Sequence, residues 1–249
     1  MKARKMTTPD PKRNQTKTIE ISAWYVLVVG IFITCLITAN IMAVKLIDIF
    51  GLILPAAIII FPISYIVGDV LTEVYGFQHA RRAIWLGFFC NLVAVLALSV
   101  GQALPAASFW DGQESYERIL GYAPRLLTAS FLAYLVGEFV NSAILARMKI
   151  ATKGRYLWAR TIGSTLAGQA LDSAIFITLA FAWTMSGADL VETIITQWLV
   201  KSAYEAAATP LTYAVVGFLK RKEGLDVYDR RTRFSPFSLR VNKNYSEAS

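Results

Sequence analysis

The chain has 249 residues, of which 55% are hydrophobic and only 17% charged. A soluble domain carries about 25% charged residues to cover its surface, so a freely soluble globular protein is excluded. The formal net charge of +8 sits in short Lys/Arg-rich segments between long apolar runs, which is membrane-loop patterning and not a groove-reading or base-stacking module, so nucleic-acid binding is excluded as well.

Residues 1–22 carry Lys2, Arg4, Lys5, Lys12, Arg13 and Lys17 and read as a disordered cytoplasmic tail. The apolar run that begins at Trp24 lasts about 20 residues, longer than the roughly 7–15 of a signal-peptide core. It is the first of six expected spans: 24–44, 52–75, 83–100, 126–147, 161–185 and 193–219. Each is long enough for a hydrocarbon core of about 30 Å at 1.5 Å per residue, and in lipid a helix satisfies every backbone group. The expected fold is therefore an all-α integral membrane domain of six transmembrane helices over 23–220. A basic cytoplasmic tail follows over 221–249.

Several features mark individual spans. Pro55 starts the second and Pro62 interrupts it, and Pro210 sits inside the sixth. Broken membrane helices often line transporter cavities, although a lone proline such as Pro210 is more simply a packing kink. The loop 101–124 holds Phe109, Trp110, Tyr116 and Tyr122. It reads first as an interfacial aromatic belt and second as a lid. Cys35 and Cys90 fall inside spans and read as small core residues. His79 is the single histidine and falls in a loop, so neither a His-rich metal site nor a cofactor is expected.

Orientation follows from the basic residues. With the N-terminus inside, 21 of the 25 Lys and Arg lie on the cytoplasmic side. Both termini are then cytoplasmic in a multi-pass inner-membrane protein.

Ionisable groups within spans cost at least about 2.5–3.5 kcal/mol at mid-helix, so each needs a partner or a polar cavity. This chain has Asp69, Glu73, Glu138, Asp172, Lys201 and Glu205 there. Asp69 and Glu73 are four apart and share a face, as do Gln169 and Asp172 at three. Gln197, Lys201 and Glu205 form an i, i+4, i+8 stripe. Asn40, Asn91 and Asn141 add neutral polar groups. Each acid alone could be structural, but four mid-depth ionisable groups on three spans are more economically a solute cavity. The expected lining is Asn40, Glu138, Gln169, Asp172, Lys201 and Glu205. Lys201 and Glu205 are expected to hold each other, and Asp172 to be uncompensated. Asp69 and Glu73, near the cytoplasmic end, are expected to form a gate or coupling site neutralised by Arg81 or Arg82. The alternative for them is a static anchor. An acidic lining repels phosphorylated solutes and suits a neutral or cationic molecule with a planar donor edge.

Three strings are more specific. They are GDVLTEVYGFQHARR at 68–82, LAGQALDS at 166–173, and ATPLTYAVVGFLKRKEGLDVYD at 208–229 followed by RTRFSPF. Together they resemble the vitamin uptake transporter family, in particular the queuosine precursor transporters of bacteria, over most of the chain from Trp24 to Phe237. The resemblance implies import of 7-cyano-7-deazaguanine or 7-aminomethyl-7-deazaguanine for queuosine synthesis. It also implies six helices similar to the substrate-binding components of energy-coupling-factor importers. Membrane lipid and the 7-deazaguanine are the implied partners, with a homodimer left open. Two rivals stand beside this reading. One is a substrate-binding component of an ATP-driven importer, for which this chain would need a separate ATPase since it lacks a G-x-x-x-x-G-K-[ST] loop. The other is an intramembrane enzyme, disfavoured because H-E-x-x-H is absent and the one histidine is unsuited to a buried Ser-His dyad.

Overall fold

Ser22 opens the first helix by accepting a hydrogen bond from the Tyr25 amide at 3.0 Å, while its hydroxyl donates to Glu223 at 2.7 Å. One side chain thus caps the first helix and ties it to the end of the last. The computed structural model describes residues 22–43, 45–49, 52–121, 124–183, 185–230 and 232–237. The expected N-terminal tail up to residue 21, residues 238–249 of the expected C-terminal tail, and Tyr122 lie outside them.

Among the described residues, seven helices and one hairpin follow in order. They are α1 (Ala23–Met42), β1 (Leu46–Ile49), β2 (Leu52–Pro55), α2 (Phe61–Tyr75), α3 (Phe77–Ala103), α4 (Gln113–Leu120), α5 (Pro124–Ala151), α6 (Leu157–Phe181) and α7 (Gly187–Glu223). Among the described residues, α1, α2 with its preceding 3-10 turn, α3, α5 and α6 are long and apolar enough to cross a membrane. α7, where the sixth span is expected, is not among those five. It is nevertheless a continuous helix of 37 residues, with Pro210 inside it and the charged side chains of Lys201 and Glu205 along it. The chain is a multi-pass helical membrane protein.

The second expected span departs from expectation at its start. Residues 52–55 form β2, which pairs antiparallel with β1, and a 3-10 turn over Ala56–Ile59 leads into α2. Pro62 therefore does not interrupt a helix. It lies in the first turn, where its missing N–H costs no intrahelical bond. His79, expected in a loop, lies in the first turn of α3.

α2 is the central element. It packs against α1, α3, α5 and α7, and twelve of its fifteen residues are buried. That environment explains why it tolerates Asp69 and Glu73: neighbouring helices, not lipid, surround them. α3 instead turns Phe89, Val93, Leu96 and Val100 outward, as a lipid-facing helix should. In lipid, helices associate through close packing of small residues. α5 and α6 meet in that way at Gly137 and Gly168. A Cβ on Gly168 would lie 2.9 Å from the Gly137 carbonyl oxygen, and one on Gly137 would lie 3.1 Å from the Gly168 carbonyl oxygen.

The two ends of the bundle differ. The hairpin and α4 occupy one end. At the other, residues 225–230 and 232–237, beyond α7 and Gly224 (φ +61°), run back as a strap along α3. Asp229 accepts from the Phe77 amide at 2.8 Å, Gln78 donates to Thr232 at 3.0 Å, Arg81 donates to the Ser235 carbonyl at 2.8 Å, and Trp85 donates to the Pro236 carbonyl at 2.9 Å. Phe234 packs on Phe77 with ring centroids 5.1 Å apart and lies under the Arg147 guanidinium. Gly76 (φ +81°) makes the α2–α3 corner, where a Cβ would crowd Val227 at 2.7 Å.

Candidate functional site

Four helices aim polar side chains into the middle of the bundle. Tyr65 and Asp69 come from one face of α2. Glu138 and Asn141 come from α5, Gln169 and Asp172 from α6, and Glu205 from α7. All are buried. Asn141 donates to Asp69 Oδ1 at 2.7 Å, and Thr165 donates to Glu205 Oε1 at 2.7 Å. Glu205 and Asp69 lie within hydrogen-bonding reach of each other. The Tyr65 hydroxyl is surrounded by the charges of Asp172, Glu138 and Glu205. Gly68 makes room for this arrangement, because a Cβ there would collide with Glu138 Oε1.

Most of these groups are left unsatisfied. Tyr65 Oη, Asp69 Oδ2, Glu138 Oε1, Asn141 Oδ1, Glu205 Oε2 and both amide atoms of Gln169 have no hydrogen-bond partner among the described residues. A buried polar group without a partner costs about 1–3 kcal/mol. Several in one chamber are a standing free-energy debt that a polar guest can cancel. The chamber offers mainly acceptors, with one amide able both to donate and to accept.

A cavity of ≈ 130 Å³ adjoins the chamber on the hairpin side. Asn40, Phe61, Phe176, Gln197, Asp172 and Lys201 are among its lining residues. Asp172 thus belongs to both spaces. Lys201 Nζ donates to Asp172 Oδ2 at 2.7 Å and sits 4.6 Å above the Phe61 ring. Asn40 donates to Asn91 at 2.9 Å. Phe61 and Phe176 supply apolar walls of the kind on which a planar ring stacks.

This geometry corrects the expected pairing. Lys201 holds Asp172 and not Glu205, so Asp172 is compensated. Glu205 is four residues further along α7, and the hydrogen bond it accepts comes from Thr165. Helical periodicity puts Lys201 and Glu205 on one face, but the side chain reaches across to α6.

Glu73 belongs to a different constellation, at the strap end. Arg160 grips it with two bonds, Nε to Oε2 at 2.9 Å and Nη2 to Oε1 at 2.7 Å. Lys220 Nζ lies 2.6 Å and Lys149 Nζ 3.5 Å from Oε1. The same two lysines hold Asp226 of the strap at 2.8 and 2.7 Å. Partial burial pushes the Asp226 carboxyl up, but hydrogen bonds from Lys149 and Lys220 outweigh it and hold the group below its ordinary range. Asp229 shifts the other way, because its burial outweighs the Phe77 amide and Thr232 hydroxyl bonds. Arg81 and Arg82 are not the partners of Glu73, contrary to expectation; Arg81 turns to the carbonyls of Arg233 and Ser235.

The site therefore gathers Glu138, Gln169, Asp172, Glu205 and Asp69 around one chamber. It places Asn40 and Lys201 on the adjoining cavity and leaves Glu73 outside both. The sequence reading missed Tyr65, Phe61 and Phe176, and it assigned Lys149 and Arg160 to a loop. An available signal was that Arg160 falls one turn into a helix once α6 is begun at Leu157. Tyr65 lies one helical turn before Asp69.

A family model described as "Putative vitamin uptake transporter" matches residues 55–215. A protein of Bacillus subtilis (strain 168) named "Probable queuosine precursor transporter" is 29% identical over 188 residues, 75% of this chain and 82% of that protein. A "Queuosine precursor transporter" of Escherichia coli (strain K12) is 28% identical over 53% of this chain and 57% of its own length. A "Probable queuosine precursor transporter" of Haemophilus influenzae is 26% identical over 49% of each chain. These relatives are named as transporters, not enzymes. No solved structure matches.

Proposed function

The chain belongs to the vitamin uptake transporter family, and from that premise we propose that it imports queuosine precursors, 7-cyano-7-deazaguanine or 7-aminomethyl-7-deazaguanine, across the bacterial inner membrane. The names of the relatives support the substrate class. The observation that carries it is Gln169, fully buried with neither amide atom partnered, on the same face of α6 as Asp172 in a chamber that also receives Glu138 and Glu205. A 7-deazaguanine presents ring N–H and exocyclic amino donors next to a carbonyl acceptor. A carboxylate accepts the two donors side by side, and the Gln169 amide donates to the carbonyl. The ring stacks against Phe61 or Phe176. Asn40 and Lys201 border the entry cavity, and Lys201 sets the position of Asp172. In this reading α7 is the sixth span, the hairpin end faces outward, and both termini are cytoplasmic.

The test is uptake and binding with the purified single chain. Proteoliposomes containing only this protein should accumulate labelled 7-cyano-7-deazaguanine. Asp172→Asn and Gln169→Ala should each weaken equilibrium binding in detergent by about fivefold to 150-fold, as expected for the loss of roughly 1–3 kcal/mol. Unchanged binding and uptake in both variants would sink the assignment. Binding without uptake unless an ATPase is added would make the chain a module of a larger importer.

A further inference from the structure

Two carboxyl groups in the chamber meet in a way that solute binding alone does not explain. Asp69 on α2 and Glu205 on α7 lie within hydrogen-bonding reach of each other. Each already uses one oxygen, Asp69 with Asn141 and Glu205 with Thr165. The remaining oxygens, Asp69 Oδ2 and Glu205 Oε2, receive no donor among the described residues. Ionised carboxylates only accept, so two of them in this position repel unless something positive lies between. The charged groups that act on Asp69 are Glu205, Glu138 and Glu73, all acids. Those around Glu205 are Asp69 and Glu138. The nearby cations are engaged elsewhere: Lys201 on Asp172, and Arg160, Lys149 and Lys220 on Glu73. A second observation points the same way. The Tyr65 hydroxyl is fully buried and unpartnered, and it lies among Glu205, Glu138 and Asp172. It can receive a proton from one acid and donate to another.

We propose that Asp69 and Glu205 share one proton and that this proton crosses the membrane with the solute, making the chain a proton–solute symporter. This rests on the transport reading given above. The bookkeeping of the step is simple. In the unloaded chamber an O–H on Glu205 donates to Asp69. When the donor edge of the solute reaches Glu205, it stabilises the ionised form, so the O–H bond on Glu205 breaks and one forms on Asp69. The proton leaves from Asp69 toward the strap end as the solute departs. Glu205 is the group that both cargoes touch, and that shared contact is what couples them.

The experiment uses the purified full chain in proteoliposomes and 7-cyano-7-deazaguanine, which carries no charge of its own to be driven by a membrane potential. Counterflow exchange without any gradient reads transport. Uptake under an imposed pH gradient, with the potential clamped to zero, reads coupling. A pH dye in the lumen reads the proton directly. The wild type should exchange, accumulate the probe at least severalfold under an outside-acid gradient, and acidify the lumen when the probe is added. Asp69→Asn should abolish lumen acidification and bring the ratio of gradient-driven accumulation to counterflow down toward one, whatever the absolute counterflow rate. Wild-type counterflow with no gradient response and no acidification would overturn the coupling and leave the transport reading standing. Absent counterflow in the wild type would overturn both. Asp69→Asn that still accumulates the probe would move the proton off this pair.

Discussion

Asp69 and Glu73 stand one turn apart on the same helix and are equally hidden, each with 0% exposure, yet they live in opposite electrostatic settings. Glu73 is met by one guanidinium and two ammonium groups from α5, α6 and α7. Asp69 faces an amide and three other carboxyl groups. Burial alone therefore does not mark a functional acid in a membrane protein. What separates a structural acid from a working one is whether its charge is answered. Glu73 has the arrangement of an anchor that gathers the strap end, since the lysines that hold it also hold Asp226. Asp69 sits in a chamber whose valences are left open.

That contrast can be broken by substitution, and Glu73→Gln is the most severe case. It strands Arg160, Lys149 and Lys220, and breaking a buried ion pair costs about 3–5 kcal/mol. Folded yield and the detergent melting temperature should both fall sharply, and adding Arg160→Met should restore part of the loss. A Glu73→Gln protein as stable as the wild type would erase the distinction. Lys201→Met comes next. It leaves Asp172 without its charge-assisted bond, worth about 1.5–3 kcal/mol. Thermal melting should recover when Asp172→Asn is added and should not recover with Glu205→Gln; the reverse pattern would restore the pairing suggested by helical spacing. Asp69→Asn should shift stability by less than about 1 kcal/mol, because it removes a repelled charge and keeps a polar group for Asn141. A large loss of stability in that variant would make Asp69 an anchor like Glu73.

The smallest effect belongs to Asp226. Its folded value lies below its unfolded one, so its stabilisation is complete above the ordinary aspartate range and is lost as pH falls through the folded value. Melting profiles followed from pH 6 to pH 3 should show an acid-side decline that Asp226→Asn reduces. An identical decline in that variant would assign the acid lability to other carboxyls.

Local reading reached some of this architecture and could not reach the rest. Apolar length alone located the ends of α1 to within two residues, those of α5 and α6 to within four and those of α3 to within six, because lipid imposes a minimum run on each. The start of the second span failed because residues 52–55 are as apolar in a hairpin as in a helix, and proline at 55 suits either. Gln169 and Asp172 were legible as sharing one buried face of α6, because three-residue spacing fixes it. Partners across helices were not. Lys201 reaching α6, and Arg160, Lys149 and Lys220 converging on Glu73 from positions up to 147 residues away, depend on how helices pack, which no periodicity within one helix encodes. The strap was invisible for a related reason: a short polar stretch after a helix has the composition of a loose tail whether or not a surface receives it.

The strap is held in two different currencies. Arg81 and Trp85 bind the carbonyls of residues 233, 235 and 236, and a carbonyl is the same whatever side chain it carries. Asp229 and Phe234, by contrast, are gripped through their side chains, by the Phe77 amide and by the Phe77 ring with the Arg147 guanidinium. Sequence drift at 233, 235 and 236 therefore leaves the path of the strap intact, whereas drift at 229 or 234 unfastens it. Within a single short segment, some positions are free to wander over evolutionary time, and those held by their side chains are not.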